Sequence, residues 1–224
     1  MRSLNSVHLD GIVASCKIVG IAEDKTVAKL SVVTLHPKEQ HVGSEASVQE
    51  YEKIRHNVRV VASPQFAGTI RSLAEGLEAE GRSGAHGMHP CVVEGVLREQ
   101  DGDNFIEARD GCFSLTETVR TKGNNLARIV GKIQSVSYTD RSANIVLDTP
   151  QGRVFSFFPR QVNASAWESV ASGKIKKGDL ISLQGPIMNM NFSDGKETMR
   201  TSMVVPHIIQ KIRLNKAQGN GVSM

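Results

Sequence analysis

The sequence of 224 residues predicts an all-β protein with short helices, built as two small barrels in tandem. The first observation is a repeat: the segment around Gly11 returns 120 residues later around Gly131, and that around Gly95 returns 90 residues later around Gly185. The second observation is the alternation of apolar and polar residues, which is typical of half-buried strands. Because solenoid repeats have periods of only about 20–50 residues, the longer offset predicts two copies of one domain.

The first copy contains five strand-like runs and a helix between the third and the fourth. The strands are predicted over 4–19, 26–35, 58–62, 91–98 and 104–108, and the helix over 66–80. Gly11 interrupts the first strand, where we expect a bulge or a sharp bend. Residues 36–57 lack clear periodicity and are predicted to form a long loop insertion, whereas Asp101-Gly102 is a hairpin turn.

The second copy repeats this order in a more compact form. Its strands are predicted over 126–138, 143–147, 154–158, 180–183, 199–205 and 208–214, and its helix over 165–171. Either Asn163 or Ser165 is expected to cap that helix.

Three strands, a helix and two further strands, with a long bent first strand, is the order of the five-stranded Greek-key barrel called the OB-fold. We therefore predict two tandem OB-fold domains. The domain boundaries are 1–120 with the loop insertion, 121–125 as a linker, 126–214 for the second domain, and 215–224 as a flexible tail.

Charge is divided unequally between the two copies. Residues 1–120 hold 13 Lys and Arg against 17 Asp and Glu, a net −4, whereas residues 121–224 hold 14 against 6, a net +8. The basic half is expected to face a polyanion, although basic residues also serve solubility. With no apolar run of about 18 residues and three widely spaced cysteines, we expect a cytoplasmic protein with reduced thiols and no membrane partner.

Short motifs in both copies resemble the bacterial single-stranded DNA-binding protein family. They are Val58-Arg59-Val60-Val61, Leu73-Ala74-Glu75-Gly76-Leu77, Val92-Val93-Glu94-Gly95-Val96-Leu97, and the turn and strand from Ile175 to Gly185. The resemblance implies OB domains that wrap single strands without strong sequence preference, in DNA replication or recombination.

The chain departs from that family in three ways. The family has one OB domain per chain and forms tetramers, so two domains per chain imply a homodimer that presents four. The family ends in an acidic, Phe-terminated tail that recruits partners, whereas this chain ends in Val222-Ser223-Met224. The family also stacks bases on several aromatic residues, of which this chain has few.

A single strand offers base faces to aromatic side chains and phosphates to Lys and Arg. In the strand over 154–158, we assign Phe155 and Phe157 to the core and Phe158 to base stacking, although Phe158 at the barrel end is the alternative. Tyr138 and Phe192 are further stacking candidates, whereas Trp167 is expected to fill the core. The phosphate candidates of the second copy are Lys132, Arg153, Arg160, Lys174, Lys176, Lys177, Lys196 and Arg200.

The first copy is expected to contribute less to binding. Its third strand has no aromatic residue, so Arg59 is its main candidate contact, beside Arg55. Its acidic balance predicts either weak binding or a role in pairing subunits.

Two other kinds of site are not supported by the sequence. His86, His89 and Cys91 could supply three metal ligands, but no fourth follows, so we predict a Gly-rich loop and no metal or other cofactor. No catalytic motif is present, so an enzyme is not expected. The leading prediction is therefore a single-stranded DNA-binding protein, with RNA as a possible ligand. The alternative is an OB-fold subunit that docks replication or recombination proteins and touches little nucleic acid.

Overall fold

The computed structural model describes residues 5–22, 25–37, 51–84, 87–100, 103–118, 125–193 and 198–212. The first repeat contains β1 (Asn5–Ala22), β2 (Lys25–Pro37), β3 (Tyr51–Ala62), α1 (Pro64–Ser83), β4 (Pro90–Gln100), β5 (Asp103–Arg109) and β6 (Phe113–Leu115). The second contains β7 (Asn125–Tyr138), β8 (Ser142–Thr149), β9 (Gly152–Pro159), α2 (Ala164–Ala171), β10 (Leu180–Gly185), β11 (Ile187–Ser193), β12 (Thr198–Val204) and β13 (Ile208–Lys211). The predicted linker, except its last residue Asn125, and the predicted tail lie outside the described residues.

Each repeat closes into a five-stranded barrel. In the first, β1, β2 and β3 form an antiparallel meander, β5 runs parallel to β3, and β4 lies between β5 and β1. In the second, β7, β8 and β9 form the meander, β12 runs parallel to β9, and the consecutive strands β11 and β10 return to β7. This Greek-key closure confirms the predicted OB-fold, and the two sets of strands are consistent with its occurrence in tandem.

The second and third strands of the first barrel are longer than the sequence predicts. They pair continuously from Thr26 and Ala62 to Pro37 and Tyr51, so the predicted loop over 36–57 is wrong for residues 36–37 and 51–57. The alternation there was hidden because His56, a polar residue, occupies an inward position. Residues 38–50 lie outside the description.

The repeated glycines stand where a neighbouring strand leaves no room for a side chain. A Cβ atom on Gly11 would lie 2.6 Å from the carbonyl oxygen of Val33, and one on Gly131 would lie 2.9 Å from that of Asp148. Two residues after each glycine, the pairing register shifts, between Val13 and Ser15 in β1 and at the corresponding place in β7. The predicted irregularity in the first strand is therefore confirmed in both copies.

The two barrels are joined side by side along β1 and β7. These strands pair antiparallel, with Val7 opposite Ala127. Ala127 lies 120 positions after Val7, so the two residues occupy equivalent positions in the two repeats. Because equivalent residues of antiparallel strands face each other here, an approximate two-fold axis passes between them. The repeats therefore form a single six-stranded arrangement, β6-β4-β1-β7-β10-β13, across the axis.

Two asparagines reinforce this junction in equivalent positions. The Asn5 amide donates to the carbonyl of Leu97 at 2.9 Å and accepts from its N–H at 3.0 Å. The Asn125 amide does the same with Ile187, at 2.7 and 2.9 Å. Both asparagines are buried, so each satisfies two buried backbone groups at the edge of the interface.

A second pair of contacts crosses the axis, and its two members differ chemically. From the first barrel, the Glu99 carboxylate accepts hydrogen bonds from the Arg153 guanidinium, including one of 3.1 Å to Nε. From the second barrel, Asn189, 90 positions after Glu99, donates to the backbone carbonyl of Arg55. Arg153 is therefore neutralised, whereas Arg55 forms no ion pair with a carboxylate of the described residues.

The two helices pack against the barrels. α1 buries Ala67, Ile70 and Leu73, and α2 buries Ala166 and Val170. The Asn163 side chain accepts from the N–H of Ala166 at 3.1 Å, which identifies the residue that caps α2. No helix in the described ranges is long and apolar enough to cross a membrane.

Candidate nucleic-acid interface

Strand β9 presents the opposite face from the one assigned from sequence. Val154, Ser156 and Phe158 are buried, with Phe158 0% exposed, whereas Phe155 and Phe157 are half-buried on the outer face of the barrel. The assignment of Phe158 to base stacking is therefore wrong. Its ring belongs to the hydrophobic core, and the two preceding phenylalanines occupy the accessible surface.

The outer face around these rings is polar but carries little charge. Phe157 lies opposite Asn144, which lies opposite Ser137. In the next outward row, Phe155 lies opposite Val146 and then Ser135. The residues beside Phe157 are therefore small and polar, whereas Phe155 has Val146 beside it and the Arg153 guanidinium carbon 5.9 Å from its ring centre.

A second aromatic group lies at the end of the same barrel. Tyr138 is 54% exposed, and its ring meets Trp167 edge to face, with centroids 6.3 Å apart at 89°. The Arg160 guanidinium carbon lies 4.2 Å from the centre of the Trp167 ring. Trp167 is half-buried, packs against the core and donates from Nε1 to the carbonyl of Thr139 at 2.9 Å, which fixes the indole.

A cavity of about 780 Å³ lies beside the first aromatic group. Phe157, Arg160 and Arg141 line it together with Asp140, and Arg160 is also the residue that contacts Trp167. The backbone N–H of Arg160 donates to the carbonyl of Arg141 at 2.8 Å, which sets the two arginines side by side. We name Tyr138, Phe155, Phe157 and Trp167 together the aromatic surface.

The predicted phosphate contacts of the second barrel are scattered. Arg153 is bound to Glu99 across the barrel junction, and its hydrogen bonds lower the pKa of that carboxyl. Lys132 is exposed on β7 opposite Asp148. The other predicted lysines whose positions are described are exposed between α2 and β10; they are Lys174, Lys176 and Lys177. Two of the predicted cations have described ring contacts with the aromatic surface: Arg160 with Trp167, and Arg153, whose guanidinium carbon lies 5.9 Å from the centre of the Phe155 ring.

Three candidates fall on the last hairpin. Phe192 lies in β11 opposite Met199, and Arg200 lies in β12 opposite Asn191. The positions of these side chains, and all of Lys196, lie outside the described residues.

In the first barrel, Arg59 stacks on an aromatic ring that the sequence did not single out. Its guanidinium carbon lies 4.1 Å from the centre of the Phe105 ring, and Nη1 donates to Gln100 at 3.0 Å. Lys17 and Lys29 lie beside it on the outer face. These two lysines were also missed, because the pairing of β1 with β2 is needed to place them together.

Of the residues considered as metal ligands, the two that the structure describes have different surroundings. His89 lies 2.9 Å from Glu80, while Cys91 points into the core and His86 lies outside the described residues. Within the described part of the chain, no cluster of three possible metal ligands is present. All three cysteines are free thiols, as predicted.

Two closed OB barrels on one chain define the class of fold to which this protein is similar. No family model and no curated protein matches the sequence. Among solved structures, the single-stranded DNA binding protein from Thermus aquaticus matches with a TM-score of 0.65 and 16% identity, over 99% of this chain and 98% of that one. A deletion mutant of it matches with the same TM-score and identity, over 97% and 98%.

This likeness shows the fold, over essentially the full length of both chains. The resemblance to the single-stranded DNA-binding proteins is therefore confirmed at the level of the fold. The solved structure comes from a protein that binds single-stranded DNA.

Proposed function

We propose that this protein binds single-stranded DNA without sequence preference, by stacking bases on the aromatic surface and contacting phosphates with nearby cations. The observation that carries the proposal is the outward position of Phe155 and Phe157 on the same barrel that exposes Tyr138. The structural likeness of this chain to a protein that binds single-stranded DNA supports the same conclusion.

The geometry suits unpaired bases in particular. Every base has a flat face, so stacking on an aromatic ring is sequence-tolerant and contributes about 1–3 kcal/mol per base. Duplex bases are already stacked on one another and cannot reach the half-buried rings of Phe155 and Phe157. The guanidinium of Arg160, held over Trp167 at 4.2 Å, places a positive charge where the phosphates of a stacked strand would pass.

Substitution of one exposed ring tests the proposal. We expect Phe157→Ala to weaken the binding of a fluorescent oligothymidylate by about 5- to 150-fold, the equivalent of one lost stacking contact of about 1–3 kcal/mol. The measurement is fluorescence anisotropy at fixed salt, with thermal melting to show that the variant is folded. The matched control is Leu115→Ala, which removes a 41% exposed side chain from β6 of the first barrel.

Competitors separate the alternatives. Excess duplex should leave the oligothymidylate complex intact, and equal competition by oligouridylate would extend the ligand to RNA. No binding of any single strand at low salt would contradict the proposal and support the alternative of a subunit that docks replication or recombination proteins.

The biological setting belongs to the same proposal. We place the protein in the cytoplasm, in DNA replication or recombination with the proteins of those processes, and as a homodimer presenting four barrels. The fold of two barrels per chain supports the dimer, because the related family uses four. Light scattering of the purified chain tests it, and a mass of one chain would contradict it.

A further inference from the structure

Three cations form a row across the outer face of the first barrel. Lys17 on β1 lies directly opposite Lys29 on β2, which lies directly opposite Arg59 on β3. Lys29 and Arg59 face outward, since the residues before and after each of them are buried. Lys17, which lies opposite Lys29, is exposed on the same side. We name these three residues the cationic row.

The cationic row is not neutralised by its described surroundings. No ion pair joins any of its members to a carboxylate of the described residues. Glu107, the next residue across the sheet from Arg59, is bound instead to Arg98, with its oxygen 2.9 Å from Nε. Like charges directly opposite each other destabilise a sheet, so this arrangement costs the free protein stability that an anion would restore.

Two contacts fix the orientation of the Arg59 guanidinium. Phe105 supports one face of its guanidinium at 4.1 Å, and Gln100 takes one of its donors at 3.0 Å. The remaining donors form a planar fork that suits a phosphate, and an arginine fixed in this way loses little freedom on binding.

The next row supplies neutral hydrogen-bonding groups. Ser15 lies opposite Ser31, which lies opposite Asn57. Beyond it lies Arg55, an exposed residue whose side chain forms no ion pair with a described carboxylate. The Ser31 hydroxyl is buried, so a polyanion that crosses this face meets positive charge, then the exposed Ser15 and Asn57, then positive charge again.

The equivalent rows of the second barrel have a different chemistry. Ser137 lies 120 positions after Lys17, and it is opposite Asn144, which is opposite Phe157. Arg153, the equivalent of Arg55, is neutralised by Glu99. Where the first barrel places cations, the second places small polar residues and aromatic rings.

We infer that the cationic row is a second nucleic-acid site, which binds the sugar-phosphate backbone of the strand whose bases stack on the second barrel. The inference rests on the proposed function and divides it between the repeats: the first barrel binds by charge and the second by stacking. It differs from the expectation that the acidic balance of the first copy means either weak binding or a role in pairing subunits, because it assigns binding to the local charge of one face.

Salt dependence distinguishes the two kinds of contact. For single strands, the logarithm of the affinity falls with the logarithm of salt concentration by about 0.7 per phosphate neutralised. We expect the double variant Lys17→Gln/Lys29→Gln to reduce this slope by about 1.4, so that the loss of affinity between 50 and 200 mM salt becomes about sevenfold smaller. Phe157→Ala should weaken binding at every salt concentration and leave the slope unchanged.

The matched control removes two charges elsewhere. Arg71→Gln/Arg82→Gln neutralises two exposed arginines of α1 and should leave the slope as in the unmodified protein. Thermal melting without DNA gives an independent reading: because Lys17 and Lys29 repel each other, their replacement should not lower the melting temperature. An equal slope for the two double variants would overturn the inference, with the proposed function intact if Phe157→Ala still weakens binding. Absence of binding by the unmodified protein would overturn both.

Discussion

His56 makes the stability of the first barrel depend on pH. Its side chain is 1% exposed, its Nε2 lies 2.8 Å from the Thr34 hydroxyl, and its Nδ1 has no hydrogen-bond partner among the described residues. Burial lowers the pKa of His56 from 6.5 to about 4. The folded protein therefore keeps this imidazole neutral at a pH where the unfolded chain protonates it.

The consequence is a loss of stability on acidification. Above pH 6.5 neither state binds the proton, whereas between pH 6.5 and 4 only the unfolded state does, so the free energy of unfolding falls as pH falls. We expect the contribution of His56 to this loss to be about 3 kcal/mol. Urea denaturation at pH 7 and at pH 4 measures the loss in the free energy of unfolding. The His56→Asn variant has no imidazole to protonate, so its loss between the two pH values should be smaller by about 3 kcal/mol. Equal losses in the two proteins would contradict the expectation.

The choice between Phe157 and Phe158 shows why single side chains were hard to place from sequence. Alternation predicts that Phe155 and Phe157 share a face of the strand, and this is confirmed. Alternation does not predict which of the two faces points into the core. Two rings inside would bury more apolar surface than the observed set, in which Ser156 is 1% exposed. The pairing of Leu147 with Val154, both buried, sets the observed choice, and it depends on neighbouring strands.

At the scale of the element, β1 offers a comparison between two glycines. A Cβ atom at Gly11 would meet the Val33 carbonyl oxygen at 2.6 Å, whereas one at Gly20 would meet nothing within 4 Å. We expect Gly11→Ala to lower the free energy of unfolding by about 1–3 kcal/mol, because two strands must separate to admit the methyl group. Gly20→Ala should be neutral or raise it by up to about 1 kcal/mol.

Urea denaturation of the two variants under identical conditions provides the measurement. Similar values for Gly11→Ala and Gly20→Ala would show that the close approach of β1 and β2 is not what excludes a side chain at Gly11.

The hairpin of β1 and β2 also explains why the cationic row was missed. The sequence predicts strands over 4–19 and 26–35, and the two strands begin to pair between these ranges, with Ala22 opposite Lys25. An unbroken ladder from that pair would set Lys17 opposite Leu30, but a shift between Ile18 and Gly20 brings Lys17 opposite Lys29. Bulges arise from tertiary closure of the barrel, so the sequence predicts the hairpin but not the register beyond the bulge.

At the scale of the whole molecule, the continuous sheet through β1 and β7 predicts that the barrels unfold together. We expect one calorimetric transition, with the calorimetric enthalpy equal to the van't Hoff enthalpy. Asn5→Ala leaves two buried backbone groups of Leu97 without their partner, and should shift the whole transition downward by the equivalent of about 1–3 kcal/mol. Two separated transitions, or a shift of only part of the heat absorption, would show that the barrels are independent.

The repeated architecture was predictable because two kinds of sequence feature occur in both copies. Gly11 and Gly131 mark the same close approach in both copies, and the alternation of apolar residues marks the strands. The junction was not predictable, because Asn5 and Asn125 are ordinary polar residues until β1 and β7 pair. Tyr138 and Arg160 were both named from the sequence as candidate contacts, whereas the cationic row of the first barrel depends on the register of β1 and β2.

The unequal faces on either side of the two-fold axis have a consequence for direction. A perfectly symmetric pair of barrels would present the same contacts to a strand entering from either side, so its 5′ and 3′ ends would be interchangeable. Here a strand spanning both barrels would meet lysines first from one side and phenylalanines first from the other. A strand bound to both faces in the proposed way would therefore be held with a defined polarity, whatever the order of its bases.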